Sequence, residues 1–427
     1  MLETLKNAWK IKELRNKILF TIMIIVIFRV GAVIPVPYIN VSALEAARQS
    51  GSTNEFFSYL SILTGGGLEY GAIFAMSVTP YINSSIIVQL LCVAIPALER
   101  LSKEGEEGQK KLAQITRYTT VILALIQGIA YFIYLKNSGY LSVTGTGASI
   151  FAGFVIVLAF TAGSALVMWL GERIDENGVG NGISILLFAG ILSRGPQAFA
   201  ALWTYFVEYK KYFEVVGIII AFLVIIGFVV WMTHAERRIR IQYAKRVVGN
   251  KMYGGQNTHI PIKVNMSGVM PIIFASSILM LPTMILGFMT NTQSTWYKIL
   301  SLFSVQGIFY AVIYFLLIIG FAYFYTTIQF NPVEMANNLR KNGGAIPGIR
   351  PGKPTIDFIS KILSRITLLG ALFLSVIAIL PIIISSFGGI NISLGGTSVL
   401  IMVGVALDLV RSLESQMMMR HYKGFLD

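Results

Sequence analysis

Val78-Thr-Pro80-Tyr-Ile82-Asn-Ser84-Ser85-Ile86 and Val269-Met-Pro271-Ile-Ile273-Phe-Ala-Ser276-Ser277-Ile278 repeat one pattern, with a single residue inserted in the second copy. Both copies sit in long apolar runs, in a chain with 55% hydrophobic and only 13% charged residues and a mean hydropathy of +0.71. A soluble domain carries about a quarter charged residues, so this composition excludes one. Runs of roughly 20 apolar residues, the length needed to cross about 30 Å of hydrocarbon, lie near 18–36, 74–96, 118–136, 150–170, 182–204, 215–233, 266–289, 306–328, 366–386 and 397–415. Lipid cannot satisfy backbone polar groups, so these ten spans are expected to be helices, and the alternating pattern of a barrel is absent. The expected fold is an all-α polytopic membrane protein.

The two copies fall in the second and the seventh span. The middle of the chain therefore divides it into halves of five spans, 1–205 and 206–427. Five is odd, so the second half enters the membrane from the opposite side, the inverted-repeat arrangement of many membrane conduits. Orientation follows from lysine and arginine in the short connections. One side collects 27 of the 34, including both termini, and is read as cytoplasmic. The first span lacks a small-residue cleavage site and is read as a retained helix.

Enzyme motifs are missing. There is no HExxH helix, no G-x-S-x-G elbow and no ionisable pair evident within the spans. Gly348-Ile-Arg350-Pro-Gly352-Lys353-Pro-Thr355 imitates a phosphate loop but has Pro354 where a magnesium-binding hydroxyl belongs. Cys92 is the only cysteine, and the three histidines, His234, His259 and His421, have no ligand spacing. No metal, cofactor or enzymatic activity is expected. An ion-coupled transporter would need ionisable residues at mid-membrane. Here Arg29 stands near one end of the first span, and Asp408 and Arg411 lie one turn apart near the end of the last, where a structural tie or an interface residue is the ordinary role.

Uncharged polar residues do enter the spans. Tyr81, Ser85 and Gln89 recur every four residues on one helix face. Close helix packing accounts for Ser84, Ser85, Ser276 and Ser277. It accounts less well for Gln89, because an amide at that depth needs a partner or water. Between the first two spans, the moderately apolar segment Phe56 to Leu63 and Thr64-Gly65-Gly66-Gly67 form either a re-entrant helix or a surface loop. Two connections, 234–265 and 329–365, hold 13 of the lysines and arginines and few acids. That excess over what topology requires implies an anionic partner: phosphate-rich RNA, an acidic protein surface or anionic lipid.

Along nearly its whole length the chain resembles the SecY family of protein-conducting channel subunits. The matching motifs are Arg29-Val-Gly31-Ala-Val-Ile34-Pro35, Leu63-Thr-Gly65-Gly66, Pro80-Tyr81-Ile82 with Ile86 to Leu90, Gly171-Glu-Arg-Ile with Gly180-Asn181-Gly182-Ile183-Ser184, Lys263-Val-Asn265 to Pro271, Ile346-Pro347-Gly348-Ile-Arg350-Pro-Gly352, and Gly396-Thr397-Ser398. The resemblance implies an hourglass pore between the two halves, with an apolar ring at Val78, Ile82, Leu187, Met270, Ile278 and Ile401. It implies a plug over about 57–71, with Phe57, Leu60, Ile62, Leu63, Thr64, Gly65 and Gly66, and a lateral gate held shut by Gln89 and Asn265. The basic loops, with Arg237, Arg238, Arg240, Arg340, Lys341, Arg350 and Lys353, then receive the ribosome or the SecA motor ATPase. SecE-like and SecG-like small subunits, polypeptides bearing signal sequences and membrane lipids are the other implied partners, in a bacterial plasma membrane. At Tyr38 the family often has glycine after the Pro-x-Pro turn.

Overall fold

The computed structural model describes residues 8–49, 66–143, 145–208, 210, 212–243, 246–248, 251–253, 257–288, 295–301, 308–388 and 396–423. In chain order the N-terminal helices are α1 (Lys12–Gly31), α2 (Val41–Gln49), α3 (Thr79–Ala94), α4 (Pro96–Lys103), α5 (Glu106–Asn137), α6 (Thr146–Asn177), α7 (Gly182–Leu192) and α8 (Gly195–Val207). Then come α9 (Tyr212–His234), strands β1 (Glu236–Tyr243), β2 (Arg246–Val248), β3 (Lys251–Tyr253) and β4 (Asn257–Lys263), and α10 (Met270–Phe288). The rest is α11 (Thr295–Ser301), α12 (Ile308–Gln329), α13 (Pro332–Lys341), β5 (Gly344–Ala345), α14 (Lys353–Gly388) and α15 (Gly396–Lys423).

Among the described residues six helical segments are long and apolar enough to cross a membrane, and the pair α3–α4 makes a seventh if taken as one span. That pair bends by 105° at Ile95, whose extended backbone is the conformation a following proline imposes. The 32 residues of α5 and of α6 each reach about 48 Å, enough to cross the hydrocarbon and project beyond it. Helix α1 lies over the first expected span, but Lys12, Glu13, Arg15, Lys17 and Arg29 interrupt its apolar character.

Three cores organise the helices. Residues of α9, α10, α12, α14 and α15 share one, with Ile272, Leu279, Ile318 and Leu374 buried in it. Tyr131, Leu135, Ile156 and Phe160 of α5 and α6 form another with Leu68, Ala75 and Met76. Between them, Ile401 and Val405 of α15 pack with residues of α1, α6 and α7. Glycine lets backbones meet here: a methyl group added at Gly182 would collide with the carbonyl oxygen of Gly171, so α6 and α7 tolerate no side chain at that crossing.

The first basic stretch is not helical. Strand β1 pairs antiparallel with β4, Glu236 opposite Lys263 and Arg240 opposite His259, and β5 adds on its other edge, Gln242 opposite Ala345. The strand order is β4-β1-β5, with β2 and β3 as a separate hairpin. This corrects the all-helical expectation, and the reason is local. Glu236-Arg-Arg-Ile-Arg-Ile-Gln-Tyr243 alternates with period two, placing Ile239 and Ile241 on one face and Arg238 and Arg240 on the other. The buried face packs on Ala336 and Leu339 of α13 and on Ile359, Leu363 and Ile366 of α14. Both basic stretches thus form one unit around one core. Each fully buried isoleucine there contributes about 1.5–3 kcal/mol. Helix α13 begins at Asn331, whose side chain accepts from the backbone amides of Val333 (3.1 Å) and Glu334, with Pro332 at the first helical position.

Candidate functional site

The first repeat copy begins at a tight corner. Ser77 has a φ of 49°, and Val78 follows as the N-cap of α3. Val78, Leu187 of α7 and Ile401 of α15 are all buried in the core between the other two, and Ile82, one turn along α3, packs against it. Four of the six expected ring residues therefore belong to or pack against one core. Met270 and Ile278 do not join that core and stay 36% and 39% exposed. Helix α10 turns Val269 and Ile273 toward the junction instead and sends Ile272, Ala275 and Leu279 into the neighbouring core. With 100° between successive residues, Met270 and Ile278 are left on the remaining face.

The polar residues of α3 divide. Ser84 is buried and donates to the carbonyl of Thr116 at 2.8 Å, a hydroxyl that draws α3 and α5 together. Gln89 is exposed. Asn265 lies just past β4, with its side-chain oxygen buried and without a hydrogen-bond partner. No hydrogen bond joins Gln89 to Asn265 among the described residues.

Sequence reasoning missed a buried ion pair. Arg194, in the turn between α7 and α8, pairs with Glu69, and their side chains are only 7% and 20% exposed. The residues are 125 positions apart, and Glu69 lies in a turn, so no local pattern connects them. The same turn is held by the Tyr131 hydroxyl, which donates to the Leu68 carbonyl at 2.8 Å. Gly66, with φ 92°, is the one named plug residue in the described part; Phe57, Leu60, Ile62, Leu63, Thr64 and Gly65 lie outside the described residues.

A cavity of about 420 Å³ opens where α1, the α6–α7 turn and α15 meet, lined by Lys17, Asp175, Asn181, Ser184 and Asp408 among others. Asp175 accepts from the Gly182 amide at 2.7 Å. Arg411 pairs weakly with Asp408 at 3.8 Å and donates to the Thr233 carbonyl at 3.3 Å, tying α15 to the end of α9. Among the described residues no group of histidine, cysteine or carboxylate side chains is arranged to hold a metal.

On the basic unit, Arg237, Arg238, Arg240, Arg340, Lys341, Arg350 and Lys353 are all exposed. Only Arg238 has an acidic partner among the described residues, Glu236 at 2.6 Å. The packed sheet and α13 hold these cations on a fixed scaffold, and α14 runs from this unit into the core of the second group of helices.

The SecY family model matches residues 72–410. "Protein translocase subunit SecY" of Bacillus subtilis (strain 168) is 44% identical, covering 100% of both chains. The like-named protein of Thermotoga maritima is 42% identical over 100% of this chain and 98% of its own. Among solved structures, one described as "The structure of a protein conducting channel" superposes with a TM-score of 0.64 at 16% identity, covering 94% of this chain and 92% of the other. "Sec61 in the Canine ribosome-channel complex from the endoplasmic reticulum" gives 0.60 at 15% identity with the same coverage. The chain belongs to the SecY family.

Proposed function

We propose that this chain is the central subunit of a protein-conducting channel, passing unfolded polypeptides across the membrane and releasing apolar segments sideways into lipid. The observation that carries it is the apolar core shared by Val78, Leu187 and Ile401, against which Ile82 packs. A narrow apolar constriction dewets and stops ions, while aliphatic side chains part for many polypeptide sequences without binding any. The exposed Met270 and Ile278 line the adjoining face of α10, where an incoming segment passes.

One core within α9, α10, α12, α14 and α15 and another built on α5 and α6 support two halves, 1–205 and 206–427, which we read as ten spans in inverted orientation around an hourglass pore. Gln89 and Asn265 flank the lateral gate between α3 and α10, and the segment around 57–71 closes the outer funnel. The basic unit docks the ribosome or a SecA-like motor on the cytoplasmic side, where both termini lie. Such a partner supplies the energy, so the chain needs no catalytic site of its own. SecE-like and SecG-like subunits complete the assembly in a bacterial plasma membrane.

A stalled secretory chain, cross-linked to single cysteines placed at Ile82 and Ile278 in a Cys92→Ser background, tests the channel. Adducts are expected at both positions. Absence of adducts at either site, with the stalled chain engaged on the membrane, sinks the reading.

A further inference from the structure

Helices α6 and α9 carry matching exposed stripes. On α6, Phe151 and Trp169 are 60% and 49% exposed, and Phe154, Leu158 and Leu166 between them are exposed as well. On α9, Phe213 and Trp231 are 95% and 66% exposed, with Val216, Ile220 and Phe228 exposed between them. The spacing is the same residue for residue, so each stripe starts at phenylalanine and ends at tryptophan. In each helix the two end rings stand roughly five turns, about 27 Å, apart, which returns them to one side of the helix. The opposite sides are packed, Ile156 and Phe160 of α6 in one core and Val229 of α9 in another. A single candidate span, α7 with α8, separates the two helices, so both run in the same direction.

The ends of the stripes have the chemistry of a membrane–water boundary, where aromatic rings with one apolar and one wet side collect. Arg173 stands over the Trp169 ring at 5.2 Å and pairs with Glu176 at 2.5 Å, so charge begins one turn beyond that ring. Trp231 is followed by His234, Arg237 and Arg238. At the other end Phe151 meets the Tyr38 ring, and Tyr212 beside Phe213 meets Phe206, which stacks on Trp203. No charged residue lies between Phe151 and Trp169, or between Glu214 and Trp231. Helix–helix contacts within lipid favour small side chains, whereas bulky ones dominate these stripes.

We propose that the two stripes are lipid-contacting faces that set the depth of the protein in its membrane and fit it to a hydrocarbon layer no thicker than about 27 Å. Tilting shortens the reach of a helix across the layer, which makes the ring separation an upper bound. The fit is slightly short of the average layer of about 30 Å. Because α6 and α9 pack into different cores, lipid holds both groups of helices at one depth. In a thicker layer the end rings sink below the headgroups.

The test places the full-length chain, with its natural partner subunits made free of tryptophan, in vesicles of monounsaturated phosphatidylcholine and phosphatidylglycerol. Trp169 or Trp231 is kept as the sole tryptophan, the other four becoming phenylalanine, and its quenching is read with lipids carrying a nitroxide near the headgroup or at mid-chain. In medium-chain vesicles the shallow nitroxide is expected to quench each about twofold more than the deep one, and in long-chain vesicles that preference is expected to vanish. Phe151→Trp and Phe213→Trp, each as the sole tryptophan, should behave alike. Should losing the tryptophans prevent accumulation, Phe213→Cys in a Cys92→Ser background, labelled with a fluorescent dye, is read with the same nitroxides and should give the same order. Equal or stronger quenching by the deep nitroxide in medium-chain vesicles overturns the depth assignment. Quenching that appears only after the partner subunits are removed overturns lipid as the occupant, and a preference unaltered by chain length overturns the fit.

Discussion

Gly370 of α14 lies against the backbone of Val264, so that a methyl group added to it would stand 2.5 Å from the Val264 carbonyl oxygen. Val264 is the residue before Asn265, and its own amide bonds to the Ala235 carbonyl at 2.9 Å, closing the base of the basic hairpin. The long helix α14 therefore touches the backbone beside Asn265 directly. Gly370→Ala is expected to cost about 1–3 kcal/mol by overpacking, seen as a lowered melting temperature in detergent, and to change export of weak-signal substrates. A melting temperature equal to the unmodified protein's would show that the contact yields freely.

The orphaned oxygen of Asn265 gives a signed expectation. An unsatisfied buried polar atom costs about 1–3 kcal/mol, so Asn265→Leu should stabilise the arrangement described here, whereas Gln89→Leu, at an exposed position, should leave stability within about 0.5 kcal/mol. Both substitutions should alter the signal strength required for export. Unchanged export of weak-signal substrates in both removes these residues from the gate.

Arg350 offers a clean test of docking. Its side chain is exposed, and among the described residues only its backbone carbonyl is engaged, accepting from the Thr355 hydroxyl at 2.9 Å. Arg350→Glu should leave melting unchanged while weakening binding of a SecA-type motor or of ribosomes, and the deficit should shrink as salt screens the surface charge. Undiminished binding at low salt would refute the site.

Tyr38 occupies a position built for glycine. Its φ is 70°, its carbonyl accepts from Ser142 at 3.0 Å, and its ring meets Phe151 edge-on at 6.3 Å. The left-handed backbone costs about 1–2 kcal/mol, and the ring contact returns about 0.5–1.5 kcal/mol. Stability should therefore fall in the order glycine, tyrosine, valine at this position, measured as melting temperature for Tyr38→Gly and Tyr38→Val. The reverse order would mean that the turn carries no strain.

Much of this was legible in the sequence. The family resemblance marks Tyr38 as a departure from glycine, and the sequence marks Ser84 as a packing hydroxyl. The hairpin was legible too, in the alternation of Ile239 and Ile241 with Arg238 and Arg240, but counting charge alone passes over that period. Of Asp408 and Arg411, one turn apart, Arg411 ties α15 to the end of α9 through the Thr233 carbonyl, while Asp408 stays 78% exposed.

Composition and pattern alone determined that the chain is a multi-pass membrane protein, where its helices fall and which connections concentrate positive charge, because lipid demands long apolar runs and water demands charged loops. Only the tertiary structure decided which faces meet. Helices α7 and α10 are apolar almost all round, and lipid is as apolar as a neighbouring helix, so nothing along the chain chooses Val269 and Ile273 over Met270 and Ile278 to face the junction. For the same reason Glu69 and Arg194 carry no mark of each other in sequence; their pairing exists because the fold brings a turn and a helix break, 125 residues apart, into one buried place.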